Sequence, residues 1–150
     1  MDISKVNKIA ELLKKIFSIE RYQFFSIKID KNVFEEEFIV YSLIRDDEDR
    51  IIEFIIYPKN CGEKYNIIMI KKNPFEGYEN IIWLKDFLVK KLEIRDDLLQ
   101  RFKINLCEGN IEKELKVYFE FIIDLFKKYM SHIIWSDKWE SIPFDWGLYK

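Results

Sequence analysis

One histidine, two cysteines, four glycines and three prolines are all that this chain of 150 residues holds of the types that much chemistry and most loops depend on. With His132 as the single imidazole, a multi-histidine metal site is excluded and one candidate general base remains. Gly62, Gly77, Gly109 and Gly147 stand apart from one another, so no GxGxxG or GKS/GKT string brings backbone amides close to a phosphate. Cys61 and Cys107 lie far apart without a CxxC partner, and Met1 to Lys5 shows no basic stretch leading into an apolar one. Two reduced thiols in a cytoplasmic protein are therefore expected. Apolar runs such as Phe54–Tyr57 and Phe121–Ile123 stop within a few residues at a proline or a charge, far short of the about 20 residues that cross a membrane.

What is present points to a folded domain. The chain is 49% hydrophobic and 35% charged, whereas disorder needs low hydrophobicity and a large net charge. Net charge is −2, and acids and bases are interleaved. The pairs Lys14-Lys15, Lys71-Lys72, Lys90-Lys91 and Lys127-Lys128 are scattered, unlike the basic face of a nucleic-acid binder. Neither a nucleic acid nor a membrane is an expected partner.

Periodicity divides the chain in two. Ile3, Val6, Ala10, Leu13 and Phe17 recur at helical spacing and predict a helix over Ile3–Phe17. From Glu20 to Lys72 the period falls towards 2, with strand-like runs at Tyr22–Ile29, Val33–Arg45, Arg50–Tyr57 and Lys64–Lys71. Connectors this short favour antiparallel pairing, because parallel strands need crossovers of about a dozen residues or more. Asn73-Pro74 ends the sheet and opens a helical half, with a helix predicted over Tyr78–Leu92. The stretch from Ile94 to Cys107 reads as helix at Asp96–Gln100 and as strand at Phe102–Leu106. After the breaker Glu108-Gly109-Asn110, Asn110 is a helix cap and a long helix runs to about Ile134. The expectation is one α+β domain over residues 1–150: an N-terminal helix, a four-stranded antiparallel meander, and C-terminal helices packed on one face of the sheet.

Candidate chemistry is sparse. His132 could act with Ser131 or Ser136 and Asp137, or it could be a cation placed near a helix C-terminus, where the dipole favours it. No catalytic residue, metal site or cofactor is expected. Two other features stand out. Asp46, Asp47, Glu48 and Asp49 form an acidic string between two strands, either a solubilising turn or a cation-binding or docking tip. Glu35-Glu36-Glu37 adds acid at the start of the neighbouring strand. The segment from Trp135 to Lys150 carries three of the four tryptophans and has no helical or strand period. It either wraps back onto the fold or presents aromatic anchors to a partner.

This plan resembles the small immunity proteins that bacteria make against polymorphic or contact-dependent toxins. The opening amphipathic helix, the meander with its Asp46–Asp49 turn, the helical second half and the aromatic ending carry the resemblance, which is one of plan across the whole chain. It implies a non-catalytic protein, monomer or homodimer, that binds one toxin. A basic nuclease domain would meet Asp46, Asp47, Glu48 and Asp49, with Trp139 and Trp146 as apolar anchors. Two other readings are a ligand-binding or enzymatic domain with a pocket between sheet and helices, lined by Tyr22, Tyr41, Tyr57 or Tyr65, and a homo-oligomeric accessory protein of a phage or defence system.

Overall fold

The opening helix forms as its apolar stripe demands. In the computed structural model, which describes residues 2–107 and 109–140, α1 spans Ile3–Ile16 and buries Val6, Ile9, Ala10, Leu12 and Leu13. The Asp2 side chain caps it by accepting from the Lys5 amide at 3.3 Å. The strands follow as β1 (Tyr22–Lys31), β2 (Glu37–Arg45) and β3 (Arg50–Ile56), then β4 (Cys61–Tyr65) and β5 (Ile67–Lys72). A short β6 (Ile81–Trp83) leads into α2 (Leu84–Leu92), α3 (Asp96–Leu99) and β7 (Lys103–Asn105). The long α4 (Ile111–Tyr129) and a single turn, α5 (Ser131–Ile134), complete the described chain. None of these helices is long and apolar enough to cross a membrane.

The α+β class and the antiparallel sheet are as expected, but among the described residues four strands become seven in two sheets. The larger sheet has the order β1-β2-β3-β5-β6, so the predicted meander is its body. β4 departs from it and pairs instead with β7, Cys61 opposite Asn105 and Tyr65 opposite Lys103. A strand whose partner lies some forty residues away shows no local period. β6 was hidden for a related reason. Ile81 is at helical spacing from Leu84 and Leu88, yet Ile81-Ile82-Trp83 pairs with Lys71, Ile70 and Met69 of β5. The predicted Tyr78–Leu92 helix therefore begins at Leu84, and Pro74 follows a cis peptide bond in the approach to β6 instead of opening a helix.

The remaining differences are local. The Val33–Arg45 strand begins only at Glu37, because residues 32–36 form the β1–β2 turn. The predicted helix to Ile134 breaks at Met130, whose φ of −131° is not helical. Asn110 caps α4 as expected, its side chain accepting from the Lys113 amide at 3.2 Å. Asn110→Ala should cost about 1 kcal/mol, seen as a lower urea midpoint at unchanged slope. An unchanged midpoint would show the cap to be idle.

The two cysteines overturn the expectation of reduced thiols: Cys61 and Cys107 are joined in a disulfide across 46 residues. Pairing of β4 with β7 brings the cysteines together, a proximity that sequence separation conceals. Such bridges persist in oxidising compartments, so the thiol premise of the cytoplasmic expectation falls away.

Helices α1, α2 and α4 cover one face of the larger sheet. Ile39, Tyr41 and Leu43 of β2, Ile52, Phe54 and Ile56 of β3, and Ile68 and Ile70 of β5 point into the core. There they meet α1, α2 and α4 in one continuous cluster. At its centre Phe17 stands edge-on to Phe54 at 4.9 Å and to Phe126 at 5.9 Å, with Phe119 5.6 Å from Phe54.

Candidate functional site

Two hairpin turns lie at opposite ends of β2, and both were acidic in sequence. At the β2–β3 turn each strand end supplies an arginine, and the residue before β1 supplies a third. Arg45 and Arg50 are wholly buried. Asp47 takes both hydrogen bonds of the Arg45 fork, at 2.8 Å each, and also accepts from Arg21 at 3.1 Å. Arg21 donates to Asp46 at 2.9 and 3.1 Å. Asp49 pairs with Arg50 and lies 3.7 Å from Arg45. The Arg45 hydrogen bonds, with help from the Asp49 amide and the Arg21 charge, hold the Asp47 carboxyl well below the usual carboxylate range.

The remaining guanidinium donors reach the far end of the chain. Arg50 donates to the carbonyls of Ile133 (3.1 Å) and Lys138 (3.2 Å). Arg45 serves Ile134 (3.2 Å) and Ser136 (2.7 Å), and Arg21 serves Trp135 (3.1 Å). The Tyr22 hydroxyl adds a 2.7 Å bond to Ile134. Carbonyls at and beyond a helix C-terminus have no partner within the helix, and here three arginines supply them. The acids are thus the counter-ions of an internal clamp that fastens the chain after α5. Glu48 alone of the four forms no ion pair among the described residues and is exposed.

The described part of the aromatic segment, Trp135 to Glu140, is fastened at the same place. The Trp135 ring nitrogen donates to the Glu20 carbonyl at 2.8 Å. The Trp139 ring nitrogen donates to the Glu79 carbonyl at 2.7 Å, and its ring lies 5.0 Å from the Arg50 guanidinium. Trp139 is half-buried. Trp146, the other tryptophan singled out above, lies outside the described residues.

His132 is not placed for catalysis with the serines beside it. Its Nε2 meets Glu140 Oε1 at 2.6 Å, while Ser131 donates to the Lys127 carbonyl at 2.8 Å and Asp137, 98% exposed, lies 3.8 Å from Arg45. Lys91 binds the other Glu140 oxygen at 3.1 Å, and these two partners, Lys91 first, lower the Glu140 pKa. Among the described residues no group of three or more His, Cys, Asp or Glu is arranged to hold a metal ion.

The four candidate pocket tyrosines are dispersed. Tyr41 is wholly buried and donates to the Val6 carbonyl at 2.9 Å, and Tyr22 belongs to the clamp. Tyr57 and Tyr65 line an open cleft of about 550 Å³ with Lys64, Lys103 and Ile67, beside β4 and not between sheet and helices.

The other turn, between β1 and β2, is a different object. The Asn32 side-chain oxygen accepts from the amides of Phe34 (2.9 Å) and Glu36 (3.0 Å), while its amide donates to Glu36 Oε1 at 3.1 Å. Glu35 takes the left-handed conformation that closes the turn, with φ of 62°. This frame lifts Val33 and Phe34 into solvent, 91% and 85% exposed. Their apolar neighbours on β1, Phe25, Ile27 and Ile29, are 58%, 38% and 44% exposed. Opposite-register partners place Ile27 with Tyr41 and Ile29 with Ile39, on the core side of the sheet, at an edge that the helix layer leaves open. Sequence reasoning absorbed Val33 and Phe34 into a strand. The available signal was two adjacent large apolar residues between Asn32 and three glutamates, which break the alternation a strand requires.

Comparison with known proteins yields no match: no family model, no curated protein and no solved structure corresponds to this chain.

Proposed function

We propose that this protein acts by binding another protein, as a non-catalytic immunity-type partner that neutralises a toxin through direct contact. One observation carries the reading: the Val33–Phe34 knob. Large apolar side chains at full exposure cost solubility, and a turn stapled by its own asparagine holds them there in a fixed geometry. A preorganised aromatic anchor of this kind binds with little further ordering. Beside it Glu35, 82% exposed and 3.7 Å from Lys31, suits a basic rim on the partner, whereas Glu36 is engaged by Lys64 and Asn32. In this reading the first point of contact moves from Asp46, Asp47 and Asp49, whose charge is spent on arginines, to the opposite hairpin. Glu48 remains the member of the acidic string free to steer a cationic partner.

The test is affinity capture from the native host with the intact chain and with Phe34→Ala, followed by co-expression of each captured protein. Phe34→Ala should weaken binding of the true partner by about 2 kcal/mol, roughly thirtyfold, and should abolish protection against its toxicity. Thermal stability should be unchanged, because the removed ring touches mainly water. Glu48→Lys should slow association without altering dissociation. A partner held equally by wild type and Phe34→Ala would defeat the assignment of the knob, and a captured protein with no harmful activity would defeat the immunity reading.

A further inference from the structure

We infer that β1 is also a self-association edge, occupied by β1 of a second copy of this chain in antiparallel pairing centred on Ile29. β1 is a terminal strand: β2 lies on one side and, among the described residues, no strand lies on the other. A free edge is a row of unpaired amides and carbonyls, and monomeric proteins usually guard it with charge, proline or a bulge. Here a bulge between Phe24 and Ser26 interrupts the first half of the strand, leaving Ile27 to Lys31 as regular edge. That stretch carries Ile27 and Ile29, two of the large apolar side chains left exposed on the fold, with Phe25 beside them at the bulge.

Charge selects both the occupant and the register. A two-fold axis normal to the sheet keeps like faces together, so directly opposed residues must share a face and the axis must pass beside one residue and its own copy. Centring on Lys28 sets two ammonium groups against each other, and centring on Asp30 does the same with two carboxylates. Centring on Ile27 runs the pairing into the bulge at Phe24/Ser26. Centring on Ile29 opposes Lys28 to the second copy's Asp30 and Asp30 to its Lys28, with Ile29 against Ile29 on the other face. Within one chain Lys28 and Asp30 already lie 3.8 Å apart on one side of the strand, both well exposed. The edge is therefore self-complementary at this single register. The result is one continuous sheet through both copies with both helix layers on the same face. Val33 and Phe34 lie beyond Lys31, past the paired stretch, so this pairing is independent of the partner-binding reading.

Sedimentation of the purified chain tests the inference. The wild type should sediment as a dimer at micromolar concentrations and dissociate on dilution. Lys28→Asp or Asp30→Lys alone should weaken the dimer about tenfold, since each replaces two attractive cross-strand pairs with two repulsive ones. The double variant Lys28→Asp/Asp30→Lys restores opposite charges at the same register and should recover the wild-type dimer. That recovery cannot come from misfolding. Ile29→Arg should give a folded monomer. A wild type that remains monomeric throughout the micromolar range overturns the inference, as does a dimer indifferent to Ile29→Arg or a double variant no better than its parents. Phe34→Ala should leave the dimer intact, so failure of self-association and failure of partner binding are read separately.

Discussion

Asp47→Asn is expected to destabilise the protein by about 2 kcal/mol at neutral pH, measured by urea unfolding, less than for a fully buried pair because the carboxylate is 36% exposed. The side chain it serves, Arg45, is wholly buried, and asparagine offers one neutral oxygen where the guanidinium fork now holds two charged ones. Asp49, 3.7 Å away, is too distant to replace the lost bonds. The sign of the pH dependence follows from the direction of the shift. Arg45 lowers the folded-state pKa of Asp47, so its contribution is complete above the ordinary carboxylate pKa. As the pH falls below about 4 the unfolded chain takes up the proton first, and the contribution drains away until the folded carboxyl also protonates. The stability gap between wild type and Asp47→Asn should therefore be flat from neutrality to mild acid and shrink below about pH 4. A gap that stays constant into strong acid, or no gap at all, would mean that the clamp does not depend on this carboxylate.

Reducing the Cys61–Cys107 bridge is expected to cost about 4 kcal/mol, chiefly by freeing the unfolded chain of a 46-residue closure. The folded state should survive the loss, because the same segments are held without the bond. The Leu106 amide donates to the Asn60 carbonyl at 2.7 Å, and Lys5 donates to the carbonyls of Pro58 and Leu106. Cys61→Ser/Cys107→Ser should match the reduced protein in urea midpoint and keep the native circular dichroism spectrum. Equal midpoints with and without reductant, with two thiols shown to be liberated, would remove the bridge as a source of stability. Free thiols in untreated protein would remove the bridge itself.

The clamp and the knob show how far the functional surface was legible. Four consecutive acids attract attention in a sequence, yet their meaning depends on which cations share the site. Arg45 and Arg50 flank the string in plain view, but that both would be buried, and would reach carbonyls more than eighty residues away, follows from packing of α5 against the strand ends. Val33 and Phe34 look like strand residues because both are types that favour strands. Asn32 turns the backbone first, and their exposure is a property of that turn and of a helix layer that covers Tyr22 and Phe24 but leaves Phe25, Ile27 and Ile29 of β1 open. Of the aromatic segment, Trp135 and Trp139 find carbonyl acceptors at Glu20 and Glu79, and the residues after Glu140 lie outside the described ones.

By itself the sequence determined the amphipathic elements. α1, the body of the meander and the cap and stripe of α4 are written in residue spacing, because each requires only that neighbours along the chain share a face. Tertiary structure decided what depends on distant partners: β4 with β7, β6 on β5, the bridge between Cys61 and Cys107, and the arginines that consume the acidic turn. A three-residue strand has no period to display, and a charge has no fixed meaning until the fold sets its neighbour.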